Sequence, residues 1–523
     1  HQKHERLKED VRKLVIHETK SSGDKLQLID VVQRLGVGYH FEAEIEEILG
    51  KVHDMGEDLF TNFDGKGTDL YHAALRFQLL RQQGFPVSLD GFRKLKNSEG
   101  RFKEWLLSDE QGLLSLYEAA HMAFHGEDIL DEALSFATKN LKSILLTNKN
   151  TSNAFQRQIE FALFVPAWKC VPRSLARHSI DFYSDHQDAL LQNKKLLTFA
   201  KLDFNMVQSF HQQELRELSE WWKRIDVATK FPYGRDRLVE CYFWINCIYF
   251  EPKYGLARIL NTKIYSVLTL LDDTCDNFAT YEEVLALVEA IERLDARALE
   301  ELPDRMKNIY RLTLSVYDEI DEEVGKTGSM FVVEYAKEEL KKLARAYSNK
   351  IGWCTEGRIP TVEEYMIEGG YVTGGMPIVY ASAFVGMGAD IVTREALEWA
   401  SNGSKMLKSG CVICRFQNDI FSYEFEQERN HAPSGVECCM KQYGISNKEA
   451  VEFLWKEISD AWKIIIQEYC QKPTLLPTIF TDRILNYARS MNLFYDNENG
   501  DCYTNPRLLK EHLTSLFIDP VHL

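Results

Sequence analysis

The hydrophobic residues of this chain recur with a helical period along almost its whole length. In the segment 28–35, apolar residues occupy positions i, i+3, i+4 and i+7, which places them on one face of a helix. The segments 112–125, 127–147 and 196–222 have similar patterns, whereas the alternating runs of Val, Ile and Thr that predict strands are nearly absent. The sequence therefore predicts an all-α protein.

The length of the chain predicts more than one domain. It has 523 residues, and a typical domain has about 150. The polar stretch 184–195 lacks regular apolar spacing and precedes a long predicted helix that starts near Leu196. We therefore predict two helical domains, residues 1–192 and 193–523.

The charge balance excludes some classes of partner. There are 79 Asp and Glu against 62 Lys and Arg, a net charge of −17, which disfavours nonspecific binding to nucleic acid or to anionic membranes. The uncharged stretch 369–389 approaches the length of a membrane span, but its glycines and Pro377 predict a buried, broken helix instead. The eleven irregularly spaced cysteines indicate reduced thiols and a cytoplasmic protein.

Three aspartates directly follow an apolar segment. Asp272, Asp273 and Asp276 come after residues 264–271, and on a helix Asp272 and Asp276 lie one turn apart on the same face. Two carboxylates in that position can bind hard cations together. The acidic segment 318–322 has the same spacing, and we interpret it as a solvated face. The position of the first motif at the end of an apolar helix favours a functional role.

A second stripe of oxygen-bearing side chains follows another apolar segment. Asn418, Ser422 and Glu426 recur every four residues after residues 411–414, so they share one helical face. An amide, a hydroxyl and a carboxylate are suitable oxygen ligands for Mg²⁺. Alone, such residues would more often face solvent. Together, the two stripes predict one shared metal site.

Basic residues accompany both stripes. Arg235 and Arg237 precede an apolar, aromatic helix that carries Trp244, and Arg415 lies three residues before Asn418. The guanidinium group pairs bidentately with phosphate oxygens, although each arginine taken singly could form a structural salt bridge. The combination suggests a diphosphate held between metal ions and arginines.

These motifs resemble those of the class I plant terpene synthases, specifically the sesquiterpene synthases. Residues 272–276 match the family motif DDxxD, and Asn418, Ser422 and Glu426 match (N/D)Dxx(S/T)xxxE. Residues 235–244 resemble the family's RxR segment and the pocket helix that follows it. The resemblance extends over nearly the whole chain. It implies a C-terminal class I terpenoid synthase domain with a central cavity, and an N-terminal domain that is a non-catalytic relic of the class II fold.

The resemblance also implies a reaction. Mg²⁺ ions, expected to number three and to be replaceable by Mn²⁺, would bridge the substrate diphosphate to Asp272, Asp276, Asn418, Ser422 and Glu426. The substrate-binding residues would be Arg235, Arg237 and Arg415 together with Asp272, Asp276 and Asn418. Farnesyl diphosphate would ionise, and its carbocation would cyclise or rearrange to a sesquiterpene with release of diphosphate.

Aromatic residues would complete the catalytic set. Trp244 and Tyr503 could present π faces to the cation, and Asp501 with Tyr503 resembles the family's Asp-x-Tyr pocket segment. The simpler interpretation of each aromatic residue is core packing. Two alternative functions stay open: a monoterpene synthase acting on geranyl diphosphate, and a non-catalytic helical scaffold. We expect a monomer.

Overall fold

The computed structural model describes residues 2–17, 21–56, 70–147, 153–185, 194–326, 330–388, 391–428, 431–471, 476–496 and 500–523. The first helices of the chain are α1 (Gln2–Val15), α2 (Ser22–Arg34), α3 (Glu42–Asp54), α4 (Leu70–Gln82), α5 (Asp90–Arg93), α6 (Glu110–Ala120), α7 (Asp128–Thr147), α8 (Asn153–Phe164), α9 (Pro172–Asp185) and α10 (Lys194–Ile225).

The helices that follow are α11 (Val227–Lys230), α12 (Leu238–Ile248), α13 (Gly255–Asn277), α14 (Tyr281–Arg293), α15 (Ala298–Glu301), α16 (Asp304–Gly325), α17 (Met330–Glu356), α18 (Val362–Tyr365), α19 (Tyr371–Thr373), α20 (Met376–Ser382), α21 (Arg394–Ser401), α22 (Lys405–Gln427), α23 (Gly435–Tyr443), α24 (Asn447–Cys470), α25 (Thr478–Phe494) and α26 (Lys510–Phe517). A short antiparallel pair joins β1 (Tyr495–Asp496) to β2 (Gly500–Asp501). The prediction of an all-α protein is confirmed, with this pair as a minor addition.

The chain divides into two compact units. One comprises residues 1–208, 466–475 and 514–523, and the other comprises residues 209–465 and 476–513. The predicted boundary between residues 192 and 193 lies outside the described residues, so that position stays a prediction.

The first unit is built on the apolar faces of its helices. Helix α6 packs against α4 and α7, and α2 packs against α4. Its core includes the buried residues Leu113, Leu141 and Ile159, which come from α6, α7 and α8. Burial of each such side chain stabilises the fold by about 2 kcal/mol. Since isolated helices are only marginally stable in water, the helices of this unit depend on this packing.

A polar cluster joins the beginning of the first unit to α10. The Nε2 atoms of His4 and His40 lie 2.9 and 2.8 Å from Asp203 Oδ1, and the Tyr39 hydroxyl donates to the same carboxylate. Burial alone would raise the pKa of Asp203, but hydrogen bonds from His4, His40 and Tyr39 outweigh it and lower the pKa to about 2. The buried His4 and Asp203 therefore both have partners in the cluster.

The second unit surrounds α13 with other helices. Helix α13 packs against α12, α16 and α20, while α25 packs against both α12 and α22. Almost every residue of α13 from Ala257 to Cys275 is buried. The charged residues of this helix before Asp272 are buried with partners: Arg258 pairs with Glu214 and Lys263 with Glu319. The helix is therefore enclosed by its neighbours on most of its circumference up to Asp272.

The segment after α18 breaks the helix as the glycines and Pro377 predict. Met366–Gly370 form a π-helical turn, α19 has only three residues, and α20 starts again at Met376. Gly375 has a φ of +77°, a left-handed conformation that costs a glycine little. The break therefore redirects the chain between α19 and α20.

Two further sequence predictions can be compared with this structure. All eleven cysteines are free, as predicted for reduced thiols. Within the described parts of the chain, no helix has both the length and the apolar character needed to cross a membrane. The cytoplasmic location and the monomeric state stay predictions.

Candidate active site

A cavity of about 420 Å³ lies within the second unit. Its size is in the range typical of small-molecule sites. Every residue that the sequence singled out as catalytic, substrate-binding or metal-binding lines this cavity: Arg235, Arg237, Trp244, Asp272, Asp276, Arg415, Asn418, Ser422, Glu426, Asp501 and Tyr503. The two oxygen-bearing stripes therefore meet at one cavity, and their individual roles stay predictions.

The first stripe, which we call the aspartate rim, consists of Asp272 and Asp276 near the end of α13. Asp273, between them, is buried and accepts hydrogen bonds from the backbone N–H of Arg235 at 2.7 Å and from its Nε at 2.8 Å. Arg235 Nη2 also donates to Asp272 Oδ2 at 2.9 Å. The aspartate between the two rim residues thus positions an arginine beside them.

Electrostatics at the aspartate rim disfavour two adjacent negative charges. Burial, followed by the nearby Asp276 carboxylate, raises the pKa of Asp272 to about 6. Lys350 Nζ lies 2.8 Å from Asp276 Oδ2. Burial disfavours the charged form of Lys350, but the two rim aspartates outweigh it and raise its pKa above the ordinary lysine value. The rim therefore attracts cations.

The second stripe, the α22 rim, consists of Asn418, Ser422 and Glu426. Ser422 Oγ donates to Glu426 Oε1 at 3.0 Å, and Asn418 Nδ2 donates to the Tyr495 hydroxyl at 3.0 Å. The Ser422–Glu426 contact follows from the helical spacing of four residues, which stacks the side chains of the rim on one face. The α22 rim is thus a continuous row of side chains, along the cavity wall, whose oxygen atoms can bind a metal ion.

A buried carboxylate also positions the arginine of the α22 rim. Arg415 Nε donates to Asp419 Oδ1 at 2.9 Å, and Arg415 Nη2 donates to the amide oxygen of Asn418. Asp419 additionally accepts hydrogen bonds from the Tyr365 hydroxyl at 2.8 Å and from the Gly435 N–H at 2.9 Å. The two rims share one arrangement, in which a buried aspartate next to a half-buried candidate ligand fixes an arginine.

The residues predicted at the C-terminal side of the site are held by backbone contacts. Arg237 Nε and Nη2 donate to the carbonyl oxygens of Tyr503 and Thr504 at 3.0 and 3.1 Å. Asp501 accepts from the N–H groups of the same two residues and from the Thr504 hydroxyl. Asp501 borders the cavity, but its hydrogen bonds are those of a residue that shapes the loop.

Aromatic rings form the apolar wall of the cavity. Trp244 is buried and stacks on Phe494 with ring centroids 4.0 Å apart. The rings of Tyr503 and Tyr265 approach Trp244 edge-on at 5.2 and 5.4 Å. The Trp244 indole N–H has no hydrogen-bond partner among the described residues. The cluster thus presents several π faces in one place.

Hydrogen bonds fix the tyrosine hydroxyl groups in this wall and next to it. The Tyr503 hydroxyl lies 2.6 Å from Thr269 Oγ1 on α13, and the Tyr487 hydroxyl donates to the Gly374 carbonyl at 3.1 Å. Burial raises the pKa of Tyr503 well above the ordinary tyrosine value. The helix break brings Thr373, Gly374 and Gly375 to the cavity. The Gly374 carbonyl also accepts from Cys414 Sγ at 3.4 Å.

Sequence reasoning missed one face of α17. Leu343, Tyr347 and Lys350 have the spacing i, i+4, i+7, and all three line the cavity. The one indication in the sequence was the charged Lys350, which interrupts the apolar face that this spacing predicts. Asp273 and Asp419 lie inside the recognised motifs, but their role as arginine partners was missed as well.

The donor set matches the chemistry of a hard divalent cation. Carboxylate, hydroxyl and amide oxygens are the ligands that Mg²⁺ prefers, and both rims supply them at the same cavity. Softer donors are absent from the two rims, and Cys414, which also lines the cavity, has a pKa raised to about 11 by burial. The residues present therefore suit Mg²⁺ or Mn²⁺ better than a thiophilic metal.

Family comparisons agree with this geometry. Residues 1–163 match the family model "Terpene synthase, N-terminal domain", and residues 223–464 match "Terpene synthase family, metal binding domain". The second match contains both rims.

Similar proteins cover the whole chain. A (−)-germacrene D synthase from Vitis vinifera is 44% identical over 522 residues, covering 99% of this chain and 90% of its own length. "Sesquiterpene synthase 2" from Toona sinensis is 44% identical over 519 residues, with 99% and 90% covered. The crystal structure of isoprene synthase from grey poplar leaves (Populus x canescens), in complex with three Mg²⁺ ions and dimethylallyl-S-thiolodiphosphate, superposes with a TM-score of 0.89. It is 31% identical, with 100% of this chain and 97% of the other covered. This chain belongs to the terpene synthase family, whose members are lyases that act on diphosphates.

Proposed function

We propose that the protein is a Mg²⁺-dependent sesquiterpene synthase that ionises farnesyl diphosphate and cyclises or rearranges the resulting carbocation, releasing diphosphate. The observation that carries the proposal is that two oxygen-donor rims and three arginines border one cavity with an aromatic wall. A charged end and an apolar end in one cavity match a substrate with a diphosphate head and a hydrocarbon tail.

The metal would be held by both rims. Asp272 and Asp276 would bind it from α13, and Asn418, Ser422 and Glu426 from α22. When bound, Mg²⁺ supplies positive charge that stabilises the diphosphate as a leaving group. The proposal of three ions is supported by the isoprene synthase complex, which contains three Mg²⁺ ions.

The arginines would orient the diphosphate. Arg235 and Arg415 each use part of their five N–H groups on a buried aspartate, which leaves other N–H groups for phosphate oxygens. An arginine whose geometry is already fixed loses little entropy when it binds a charged oxygen. Arg237, held by backbone carbonyls, would contribute mainly by fixing the loop that carries Tyr503.

The aromatic wall would protect the carbocation. After the C–O bond breaks, the cation needs an environment without nucleophiles, because water would trap it as an alcohol. The faces of Trp244 and Tyr503 offer electrostatic attraction to a cation without forming a bond. The hydrogen bond between the Tyr503 hydroxyl and Thr269 keeps that oxygen occupied.

The choice of farnesyl diphosphate is supported by the names of the relatives. "Sesquiterpene synthase 2" is 44% identical to this chain, whereas the isoprene synthase is 31% identical. The alternative of a monoterpene synthase differs only in the length of the substrate tail.

Incubation with Mg²⁺ and either farnesyl or geranyl diphosphate, followed by gas chromatography and mass spectrometry, tests the proposal. We expect C15 hydrocarbons or alcohols from farnesyl diphosphate, formed with a kcat/KM at least about tenfold higher than for geranyl diphosphate. A higher kcat/KM for geranyl diphosphate would assign the protein to monoterpene synthesis instead. If neither substrate releases diphosphate, the proposal is wrong.

A further inference from the structure

Lys350 is a charged residue of the cavity to which the reaction described above gives no role. It projects from α17 and lies 2.8 Å from Asp276 Oδ2, a carboxylate assigned above to metal binding. Like the contact of Arg235 with Asp272, this contact places a cation on a proposed metal ligand, where the ammonium and the metal compete for the same oxygen. This contact therefore requires an explanation.

Lys350 has room to move. It lines the 420 Å³ cavity and also an adjoining cavity of about 250 Å³, and Asp276 and Glu426 line both. An ammonium has three N–H donors, and one of them is directed to Asp276. A four-carbon side chain can shift its charge by several ångströms without any change in the backbone. The lysine is therefore not locked to one partner.

Lys350 lines the same two cavities as one residue from each rim. Its contact is with the aspartate rim, and Glu426 of the α22 rim borders the same two cavities. The diphosphate would bind between these rims, so an anion there would meet the lysine as well as the metal ions. Phosphate oxygens are good acceptors for an ammonium, and the gain grows in a site from which water is excluded.

We propose that Lys350 is a diphosphate-binding residue that neutralises Asp276 before the metal binds and transfers its hydrogen bond to a phosphate oxygen afterwards. This inference rests on the proposed function, because it assumes that a diphosphate occupies the cavity. It assigns to α17 a direct contact with the substrate head group. No bond other than hydrogen bonds forms or breaks.

The proposal predicts two effects of opposite sign in Lys350→Met. Without an anion, Mn²⁺ should bind the aspartate rim more tightly, by about threefold to tenfold, because its competitor has been removed. With saturating Mg²⁺, inorganic pyrophosphate should bind about tenfold more weakly, because one charged hydrogen bond is lost. A purely structural ion pair would weaken both, since its removal leaves Asp276 less well positioned.

Isothermal titration of the full chain, with Mn²⁺ alone and then with pyrophosphate in Mg²⁺, measures both effects. Lys341→Met is a matched control: Lys341 is on the same helix, is similarly buried and lies 2.7 Å from Glu338, but does not line the cavity. If Lys350→Met unfolds, Lys350→Gln repeats the test with a polar side chain. Lys350→Arg should restore pyrophosphate binding to within about threefold of the unmodified protein.

Pyrophosphate affinity in Lys350→Met or Lys350→Gln that is within twofold of the unmodified protein would overturn the proposal. Weaker Mn²⁺ binding in the absence of pyrophosphate would also overturn it and would leave a structural ion pair. Both readouts use pyrophosphate and metal alone, so they remain informative if farnesyl diphosphate proves not to be the substrate. Failure of the proposed function would instead appear as absence of sesquiterpene from the unmodified protein.

Discussion

Arg235 and Asp273 are joined by two hydrogen bonds, one from the backbone N–H at 2.7 Å and one from the side-chain Nε at 2.8 Å. The carboxylate thus fixes both the chain and the guanidinium group of the arginine. Asp273 is 1% exposed, so it is inaccessible to a metal ion as long as this pairing persists. The middle aspartate of the motif therefore acts by positioning Arg235.

Replacing Asp273 with Asn should release Arg235 from its orientation while leaving both rim aspartates in place. We expect kcat/KM for farnesyl diphosphate to fall by about 100-fold, because one charged group at the leaving group would no longer be preorganised. Steady-state kinetics measures the change. Asp318→Asn, a change at an exposed aspartate of α16, is the control and should have no effect. Equal kinetics for the two variants would exclude a positioning role.

The equivalent pair in the second rim should respond in a similar way. Arg415→Lys keeps the charge but loses the fork that contacts both Asp419 and Asn418. We expect kcat/KM to fall by about 30- to 100-fold, and Asp419→Asn to produce a comparable loss. The double variant should be little worse than either single variant, since both changes remove the same interaction. Additive losses in this cycle would mean that the two residues act independently.

The aromatic wall can be tested by its effect on product formation. Trp244→Leu removes the indole ring from the cavity wall, and we expect turnover to fall by about tenfold to 30-fold. A larger share of alcohol products should accompany the loss, because a less stabilised cation is trapped more easily by water. Trp244→Phe keeps an aromatic face and should retain most of the activity. Chromatography of the products decides the matter, and an unchanged product mixture in Trp244→Leu would contradict the assigned role.

The cluster around Asp203 predicts a pH dependence of stability. Hydrogen bonding to Asp203 raises the pKa of His4 despite its burial, so the stabilisation from His4 is complete below about pH 6.5 and is lost as pH rises through its folded-state pKa. Asp203, with its pKa lowered to about 2, stabilises above about pH 4 and loses that contribution as the pH falls.

Thermal unfolding of the unmodified protein and of His4→Gln, compared from pH 5 to pH 9, measures the contribution of His4. The difference in midpoint should be largest near pH 5 to 6 and should shrink at alkaline pH. Asp203→Asn should destabilise at pH 7 by about 3 kcal/mol, because the hydrogen bonds of two imidazoles and a phenol lose the negative charge of their shared acceptor. A destabilisation by His4→Gln that grows with pH would contradict the raised pKa of His4.

The sequence predicts those parts of the site that depend on local spacing. Asp272 and Asp276 lie on one helical face because they are four residues apart, and the apolar residues before them place that face at the core. Ser422 and Glu426 follow the same rule on α22. Such relationships need only a helix, so the residues of the two rims could be identified before the structure was known.

The parts that depend on tertiary contacts could not be predicted. Lys350 is 74 residues from Asp276 in the chain, and no local pattern relates them. Asp501 belongs to a motif that resembles a pocket segment, but its hydrogen bonds to Tyr503 and Thr504 become visible only in the folded loop. The π-helical turn before Gly375 was likewise not predictable, because glycine and proline indicate a break without specifying its geometry.

The most direct test of the central claim is the Mg²⁺-dependent release of diphosphate from farnesyl diphosphate in a single turnover. Asp272→Ala removes a ligand from the aspartate rim and Glu426→Gln removes the charge of a ligand in the α22 rim, and each should lower the rate by about 1,000-fold with the fold intact. Combining them should add little to the loss, because the two rims act on one leaving group. A near-normal rate in Asp272→Ala, in a protein whose thermal unfolding is unchanged, would contradict the shared metal site.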